Sequence, residues 1–381
     1  MRTTGTYVTV TTLGEAVKAF VPRPLPPSKP PLEAAAILER NHLAQLALAR
    51  LSGVSGLVPS VDWLLYSAIR KEALLTSQIE GTQATLTDLF DEEAGFAVSN
   101  TDDVEEVTNY LRAFRLVRDN LRKPRGLPIS MRLLNDAHRL LLDGARGSGK
   151  QPGELRKSQN WIGGTRPGNA AFVPPPAEKL PDLLSEMERF IHDPEPTLPP
   201  LVRVALVHAQ FETIHPYLDG NGRIGRLLIA ALMEAWGLLP EPLMYLSGYL
   251  KKHQAEYYRR LSAVRTKGDW EGWVGFFLEG VELAAVEAER AIVSIASLVT
   301  ADRRRLLDAP KSTPASYRLF ELLPLMPRFT VEQVRQRLNT SFPTANAAVK
   351  VLEGLGIVTE FTGQKKHRNY SYQAYIDLMT R

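Results

Sequence analysis

Apolar side chains recur at three- and four-residue spacing from about residue 31 to residue 121, which is the period of an amphipathic helix. The second helical segment of this region ends at Gly81, and glycine commonly terminates helices. Similar spacing continues over residues 129–144, 179–193, 253–266 and 270–308. The pattern therefore predicts a mainly α-helical protein.

Two central segments are apolar on nearly every side and are predicted to form buried helices, residues 200–214 and residues 226–239. Upstream of them, residues 152–176 contain two short extended runs around a turn rich in Gly, Pro and Asn, which predicts a β-hairpin. The helical segments together with this hairpin indicate a core domain over residues 122–308.

The two ends of the chain have different patterns. The first 35 residues are rich in Thr and Pro and are predicted to form an extended arm that precedes the helices of an N-terminal region, residues 1–121. Residues 309–381 follow the order helix, helix, turn, helix, strand, basic turn, strand. This order predicts a C-terminal winged-helix domain.

Composition narrows the chemistry. The chain has no cysteine, which excludes disulfides, thiol nucleophiles and Cys-ligated zinc. No signal-peptide pattern and no apolar run long enough to span a bilayer is found, so we expect a cytoplasmic protein with no membrane partner. Residues 301–381 carry 13 Lys and Arg against 7 Asp and Glu, which places the basic excess in the predicted winged helix.

The segment HPYLDGNGRIGR, residues 215–226, lies between the two buried helices. Glycines before a helix N-terminus let backbone N–H groups converge on an anion. Arg223 and Arg226 lie three apart and share a face, which suits a polyphosphate. Asp219 is a hard oxygen ligand for Mg²⁺, and His215 can take a proton from an attacking hydroxyl. The segment therefore predicts nucleotidyl or phosphoryl transfer.

This segment resembles the signature of the Fic/Doc family, His-Pro-Phe-x-Asp/Glu-Gly-Asn-Gly-Arg-x-x-Arg, except that Tyr217 stands where Phe is commonest. The resemblance implies a helical bundle with a β-hairpin flap that transfers AMP from Mg-ATP to a Ser, Thr or Tyr hydroxyl. It implies that His215 is the general base and Asp219 the Mg²⁺ ligand. The ATP-binding residues that it implies within the segment are Asp219, Gly220, Asn221, Gly222, Arg223, Ile224, Gly225 and Arg226.

Two further segments resemble the family. Residues 152–176 resemble the flap, whose edge aligns a target peptide, and the matching nucleotide-site positions are Asn160, Trp161, Ile162 and Gly163. The segment AEYYRRLSAVRTKGDW resembles one whose tyrosine pair, here Tyr257 and Tyr258, lines the adenine pocket; helix packing is the alternative role for both. Arg265 stands where some relatives carry Asn, which leaves an adenine contact there open.

The helix predicted over about residues 60–81 ends in a pattern, Thr76-x-x-x-Glu80-Gly81, that resembles the family's inhibitory motif. The resemblance implies that Glu80 bonds Arg226 and so occupies the charge meant for the γ-phosphate. We therefore expect an autoinhibited protein adenylyltransferase. The alternatives are an enzyme that removes AMP, with Glu80 aligning a water, or one that transfers another nucleotide-derived group.

The partners follow from these expectations. ATP and a protein with an acceptor hydroxyl, which includes the enzyme itself, are the expected substrates. The winged helix offers Thr344, Asn346, Lys350, Lys365, Lys366, His367 and Arg368 to DNA phosphates, or it serves as a protein-contact module. A DNA-binding regulator that uses its core as a nucleotide sensor is the alternative from another functional class, and a homodimer is left open.

Three other signals are set aside. The segment GARGSGKQ, residues 144–151, nearly spells a P-loop, but Gln151 replaces the Mg²⁺-binding hydroxyl and a helix rather than a strand is predicted before it. We expect a mobile basic loop there. His208 lies on the face of His215 without a third metal ligand, so we expect a core histidine whose hydrogen bonds are satisfied. His138 is expected on a polar helix face.

Overall fold

The structure is a computed structural model that describes residues 2–58, 60–144, 148–364 and 367–380. Its helices are α1 Ala34–Val54, α2 Val61–Ile79, α3 Leu86–Glu93, α4 Thr101–Arg122, α5 Met131–Leu141, α6 Leu180–Ile191, α7 Pro200–Ile214, α8 Asn221–Ala235, α9 Leu246–Lys252, α10 Gln254–Lys267, α11 Trp270–Leu307, α12 Pro314–Leu322, α13 Val331–Leu338, α14 Phe342–Gly354 and α15 Gln373–Thr380. Its strands are β1 Gly5–Thr12, β2 Glu15–Pro22, β3 Arg328–Thr330, β4 Thr359–Glu360 and β5 Asn369–Ser371. The predicted mainly α-helical architecture is confirmed.

The centre of the bundle is α7, in which every residue from Leu201 to Ile214 is buried. A helix that is apolar on nearly every side is stable in water only when other elements cover it. Helices α6, α8, α10 and α11 pack around α7, and the indole of Trp273 donates a 2.8 Å hydrogen bond to the carbonyl of Ala205. The prediction of a central buried helix is confirmed.

Helix α2 begins at a Ser60 cap and ends at Ile79, one turn short of open solvent. It packs against α4, α8 and α9. The buried carboxylate of Glu72 accepts hydrogen bonds from the backbone N–H and the hydroxyl of Ser247, at 3.1 and 2.5 Å. A buried carboxylate that is hydrogen-bonded in this way fixes the position of α2 against α9.

The N-terminal residues differ from the prediction of an extended arm. Strands β1 and β2 form an antiparallel hairpin that pairs Gly5 with Pro22 and Thr12 with Glu15. Its two-residue turn is Leu13-Gly14, and both residues have positive φ, 48° and 79°. This geometry is typical of the two-residue turns that match strand twist. The alternation of Val and Thr in β1 was the signal for a strand that the prediction missed.

The predicted hairpin of residues 152–176 is less regular than expected. The two extended runs meet only at the pair Ile162 and Phe172, whose backbones exchange hydrogen bonds of 2.8 and 3.1 Å. Between them, Gly163 and Gly164 adopt positive φ, and residues Pro167–Asn169 form a short 3₁₀ turn. We refer to residues 152–176 as the flap. The backbones of its two runs pair at one bridge rather than a ladder, and Arg156 and Gln159 add side-chain hydrogen bonds to the carbonyls of Pro175 and Pro174.

The C-terminal region contains α12 to α15 and a three-stranded antiparallel sheet in the order β3, β5, β4. The prediction that residues 309–381 end in a strand after the basic turn is partly wrong, because β5 ends at Ser371 and helix α15 follows it. Nη1 of Arg328 in β3 donates to both carboxylate oxygens of Asp91, at 2.5 and 2.7 Å, which attaches the region to α3. Its assignment as a winged helix stays a prediction, and Lys365 and Lys366 lie outside the described residues.

The P-loop-like segment is also partly outside the described residues, since these omit 145–147. Helix α5, not a strand, precedes it, which agrees with setting the P-loop aside. Across the described part of the chain, none of the helices is long and apolar enough to cross a membrane.

Candidate functional site

The turn between α7 and α8 is built from residues with unusual backbone conformations. His215 ends α7 in the left-handed region, with φ 51° and ψ 63°. Gly220 precedes α8 with φ 73°, so the chain turns into the new helix at Asn221. A non-glycine residue with positive φ is uncommon and persists only where its surroundings enforce it. The turn is therefore a preformed feature whose free α8 N–H groups face the loop.

Arg156 holds this turn from behind. Its guanidinium is buried and donates to the carbonyls of His215 at 2.9 Å, Ser158 at 3.1 Å and Pro175 at 2.6 Å. Its backbone N–H donates to the carbonyl of Pro216 at 2.9 Å. One arginine thus joins the turn to both ends of the flap. Sequence reasoning missed it, because a basic residue in a predicted loop is ordinarily solvated.

The imidazole of His215 is poised to stay neutral. Burial, and after it the charge of Arg156, lowers its pKa to about 4. Its Nδ1 is buried and has no hydrogen-bond partner among the described residues. A neutral imidazole at pH 7 can accept a proton, and with Nδ1 enclosed, Nε2 is the atom left to do so.

Asn221 closes the turn upon itself. Its side chain accepts from the Tyr217 N–H at 2.8 Å and donates to the Tyr217 carbonyl at 2.9 Å. The flap residue Asn160 donates to the same carbonyl at 3.4 Å, and its Oδ1 accepts from the N–H of Trp161 at 2.9 Å. The side-chain amide of Asn221 is engaged by the Tyr217 backbone. The backbone N–H of Asn221 is therefore the group of this residue that can bind an anion.

Asp219 projects outward from the turn. Its side chain is 46% exposed, and its Oδ1 accepts from the N–H of Gly220 at 2.6 Å. Its carbonyl lies 3.0 Å from Nε2 of His138, whose Nδ1 accepts from the N–H of Gly153 at 2.9 Å. The prediction that His138 lies on a polar face is wrong: it is fully buried, and its ring stacks on Tyr217 at 3.8 Å because both rings support the turn.

The second arginine of the turn meets the end of α2. Arg226 is buried and donates from Nε to the hydroxyl of Thr76 at 2.6 Å. From Nη2 it donates to the Thr76 carbonyl at 3.1 Å and to the Glu80 carboxylate at 2.5 Å. Gly81 follows with φ 106°, which ends the helix there. The structure thus brings together the residues predicted to be inhibitory and the arginine predicted to be their target.

This ion pair is strongly coupled. Burial alone would raise the pKa of Glu80, but the guanidinium of Arg226 outweighs it and lowers the pKa. Burial likewise acts to lower the pKa of Arg226, and the carboxylate of Glu80 overrides it and raises the pKa. Both groups therefore remain charged. Arg226 is buried whereas the Glu80 side chain is 36% exposed, so removal of Glu80 would leave a buried guanidinium without its carboxylate.

The first arginine of the turn also faces carboxylates. Arg223 lies 3.4 Å from Glu106 of α4 and 3.8 Å from Asp219. Its Nε is buried without a hydrogen-bond partner among the described residues. Glu106, which sequence reasoning missed, lines a cleft of about 270 Å³ together with Glu80, Asp219 and Arg223. Each arginine of the turn is thus matched by a carboxylate from a different helix of the N-terminal region.

Glycines allow these close contacts. A Cβ on Gly222 would lie 2.3 Å from the Glu80 carboxylate, and one on Gly225 would lie 2.4 Å from Glu212. Ile224 is fully buried and packs α8 onto the core. Burial raises the pKa of Glu212 to about 7, and its Oε1 has no hydrogen-bond partner among the described residues. A side chain at either glycine would displace the carboxylate that lies against it.

The tyrosine pair of α10 divides into two roles. Tyr257 is buried, and its hydroxyl lies 2.8 Å from Nε2 of His208. The other nitrogen of His208 faces the Gly225 carbonyl at 3.1 Å, so it donates there and Nε2 accepts from the tyrosine. His208 is therefore a core histidine with both bonds made, as predicted. Tyr258 is 48% exposed and is the member of the pair free to meet a ligand.

Arg265 lies at the flap. Its guanidinium stacks on the ring of Phe172 at 3.9 Å, and its carbonyl accepts from the hydroxyl of Thr4 at 3.1 Å. Burial lowers its pKa to about 10. Its side chain makes no hydrogen bond within the described ranges, so it packs as a flat surface rather than as an ion-pair partner.

The site can therefore bind a polyphosphate at the N-terminus of α8. The described residues contain no cluster of three His, Cys, Asp or Glu side chains that could hold a metal by themselves. A Mg²⁺ ion beside Asp219 would take its other ligands from phosphate oxygens and water, as Mg²⁺ commonly does. Asp219, whose carboxylate is 46% exposed at the mouth of the turn, fits that role.

Comparison with known proteins gives a consistent family. Residues 38–119 match the model for the Fic/DOC family N-terminal region, and residues 128–233 match the Fic/DOC family model. Protein adenylyltransferase Fic of Drosophila yakuba is 31% identical over 131 residues, which are 34% of this chain and 24% of that protein. A probable protein adenylyltransferase of Aquifex aeolicus is 38% identical over 88 residues, 23% of this chain and 26% of that protein. The chain thus spans about a quarter of the length of these relatives.

Solved structures share the fold. A Fic family protein from Desulfovibrio desulfuricans G20 aligns over 90% of this chain and 97% of its own, with a TM-score of 0.58 and 20% identity. Residues 134–508 of Fic-1 from C. elegans align over 68% of this chain and 75% of that chain, with a TM-score of 0.53 and 21% identity. The Fic-type helical fold that the sequence predicts is confirmed.

Proposed function

The chain belongs to the Fic/DOC family, and on that premise we propose that it is an autoinhibited protein adenylyltransferase. It would transfer AMP from ATP to a Ser, Thr or Tyr hydroxyl of a protein. The observation that carries the proposal is the turn of residues 215–226, where a neutral His215, an exposed Asp219 and two arginines surround the N-terminus of α8. Relatives named protein adenylyltransferase support the same reaction.

In the reaction that we propose, the acceptor hydroxyl displaces pyrophosphate from ATP. The acceptor oxygen attacks the α-phosphorus of ATP, and Nε2 of His215 takes the hydroxyl proton. The bond from the α-phosphorus to the bridging oxygen breaks, and pyrophosphate leaves. Mg²⁺ held by Asp219 would neutralise charge on the phosphates. Backbone N–H groups at Gly220, Asn221 and Gly222 and the guanidiniums of Arg223 and Arg226 would hold the phosphate oxygens.

The flap and α10 would complete the nucleotide site. Asn160, Trp161, Ile162 and Gly163 would border the nucleotide, and Tyr258 would contact the base. Tyr257 would hold Tyr258 in position, because the hydroxyl of Tyr257 is itself fixed by its bond to His208.

Regulation would come from α2. Because Glu80 occupies a guanidinium nitrogen of Arg226, a γ-phosphate cannot use that donor at the same time. Thr76 holds a second nitrogen of the same guanidinium, and Gly81 ends the helix beside them. ATP would then bind in an unproductive pose until α2 moves.

The test is the chemical identity of the adduct. We would incubate the Glu80→Gly variant with Mg²⁺ and ATP labelled at either the α- or the γ-phosphate, alone and with lysate proteins, and measure intact masses. Label from the α-position and the mass of one AMP support the proposal. Label from the γ-position, or an adduct of another mass, would show a different transfer, and net loss of AMP from a pre-modified protein would show removal.

One observation favours a second function. A groove of about 810 Å³ in the C-terminal region is lined by Asn346, Lys350, His367 and Arg368 with Thr330 and Tyr370. Cationic and amide side chains along a helix and the neighbouring turn suit the DNA backbone and base edges. We propose DNA binding there as a second candidate. Binding of duplex DNA that weakens steeply with salt and survives His215→Ala supports it, and salt-independent binding contradicts it.

A further inference from the structure

The N-terminal end of the flap packs on the main core through Leu155, but the part around its turn packs elsewhere. Within the described residues, a small apolar cluster stands apart from that core, and all its members belong to the flap or to the N-terminal hairpin. Its members are Val8, Val10, Val17, Ala19, Trp161, Ala170 and Val173. The apolar anchor of this part of the flap is therefore the β1–β2 hairpin.

Backbone and ring contacts join the same two elements. The N–H of Phe20 donates to the carbonyl of Val173 at 3.0 Å, so the second run of the flap lies beside β2. The ring of Phe172 lies 6.4 Å from that of Phe20 on one side and 3.9 Å from the guanidinium of Arg265 on the other. Phe172 of the flap therefore lies between Phe20 of the hairpin and Arg265 of α10.

The tip and the base of the hairpin are both attached. At the tip, Glu15 forms an ion pair with Arg166 in the flap turn. At the base, Arg2 donates to both carboxylate oxygens of Glu271 at 2.8 Å and to the carbonyl of Gly268 at 3.0 Å. The hairpin is a brace that runs from the start of α11 to the turn of the flap.

We propose that this hairpin positions the flap for the acceptor protein, so that its residues fix acceptor binding without touching the nucleotide. The inference rests on the proposed function, since it assigns the flap to the acceptor. Arg156 and Gln159 join the two runs at the end of the flap near the turn of residues 215–226, but towards the flap turn only the backbone bridge of Ile162 and Phe172 is formed, and the hairpin packs there. Ala19 and Val17 are then positioning residues, and they act through Val173 and Trp161.

The first measurement is hydrogen exchange of the full-length protein, read on peptides that span residues 160–173. Ala19→Glu places a carboxylate at a fully buried position of the cluster, and Ala16→Glu places the same charge at an exposed position of the same strand. We expect exchange in the flap to rise about tenfold or more in the first and to stay unchanged in the second. Equal flap exchange in both variants overturns the proposal.

The second measurement is transfer of α-phosphate label to lysate proteins, in the Glu80→Gly background. We expect Ala19→Glu to raise the lysate concentration needed for half-maximal rate severalfold, and by more than it raises the KM for ATP, because Asn160 to Gly163 of the flap border the nucleotide while the rest of the flap faces the acceptor. Faster flap exchange with unaltered transfer overturns the role in acceptor binding. If Ala19→Glu fails to fold, Val17→Ala makes the same test through a smaller loss of packing, with Thr11→Ala as its exposed control.

The two proposals fail in different ways. If Glu80→Gly transfers no label to any protein, the proposed function is wrong and the role in acceptor binding is overturned with it. The exchange measurement is independent of catalysis, so it still decides whether the hairpin supports the flap.

Discussion

The turn of residues 215–226 and the flap lie on either side of the same site, yet they are held in different ways. The turn is enclosed by the core, with Asn221 closing it by two hydrogen bonds and Arg156 joining its carbonyls. The flap has one backbone bridge between its runs, and the part around its turn has an apolar anchor outside the core. The part that we propose to bind phosphate is therefore built into the core, and the part that we assign to the acceptor is supported by a separate, smaller element.

The sharpest test of the turn is His215→Ala in the Glu80→Gly background. Loss of a general base typically costs about 10²- to 10⁴-fold in rate, so transfer of α-phosphate label should fall by that factor. His42→Ala, at an exposed position of α1, is the control and should leave the rate unchanged. A residual rate above about one tenth would remove His215 from the role of base.

The pH profile separates a buried His215 from an ordinary one. Burial and Arg156 lower its pKa to about 4, so the neutral form persists well below the ordinary value near 6.5. The initial rate of the Glu80→Gly variant should stay level as pH falls from about 8 to about 5, and should drop only near 4. An inflection near pH 6.5 would contradict this, unless it is also seen in unfolding.

The grip of α2 on Arg226 can be loosened without changing a charge. Thr76→Val removes the acceptor of the 2.6 Å bond from Nε while preserving shape. One such bond is worth about 1 kcal/mol, so transfer should rise by about two- to tenfold over the wild type. Ser77→Ala is the matched control, because its buried hydroxyl has no partner in the described part of the chain. Equal rates for both variants would argue against the grip.

Stability should respond unequally in the two regions. Asn221→Ala leaves the buried N–H of Tyr217 without its partner and its carbonyl with only the 3.4 Å bond from Asn160, and should cost about 1–3 kcal/mol in the free energy of unfolding. Asn160→Ala, which removes the 3.4 Å bond to the same carbonyl, should cost less than about 1 kcal/mol. Urea unfolding measures both, and equal losses would erase the difference between turn and flap.

The smallest effect is expected at the flap surface. Arg166→Ala breaks an ion pair with Glu15 in which the arginine is 62% exposed. Exposed pairs contribute about 0–1 kcal/mol, so unfolding by urea should barely change, and added salt should reduce the difference further. A larger loss of stability would mean that the tip contact, rather than the apolar cluster, supports the flap.

Much of the site was predictable, because its residues lie close together in sequence. Helix α7, the turn and α8 follow from one apolar pattern interrupted by Pro216 and glycines. The contact of Glu80 with Arg226 was reached only through the resemblance, since 146 positions separate the two residues. The spacing of residues within one segment does not predict which helices from distant parts of the chain end next to each other.

What was missed depends on tertiary contacts. Arg156, Glu106 and His138 look like surface residues in sequence, and each is recruited by a partner far along the chain. The N-terminal hairpin was missed for a different reason, since its alternating Val and Thr pattern was overlooked beside the Pro-rich stretch that follows. Residue charge and hydrophobic pattern predict burial well only for residues whose packing partners are close in sequence.

The central claim is that the charge of Glu80 on Arg226 restrains a complete transfer site. The most direct measurement compares initial rates of α-phosphate label transfer for the wild type, Glu80→Gln and Glu80→Gly under one set of conditions. Glutamine keeps the shape and loses the charge, so the rate should rise from the wild type to Glu80→Gln and again to Glu80→Gly, by about 5- to 150-fold overall. Rates that are equal in all three proteins would contradict the account.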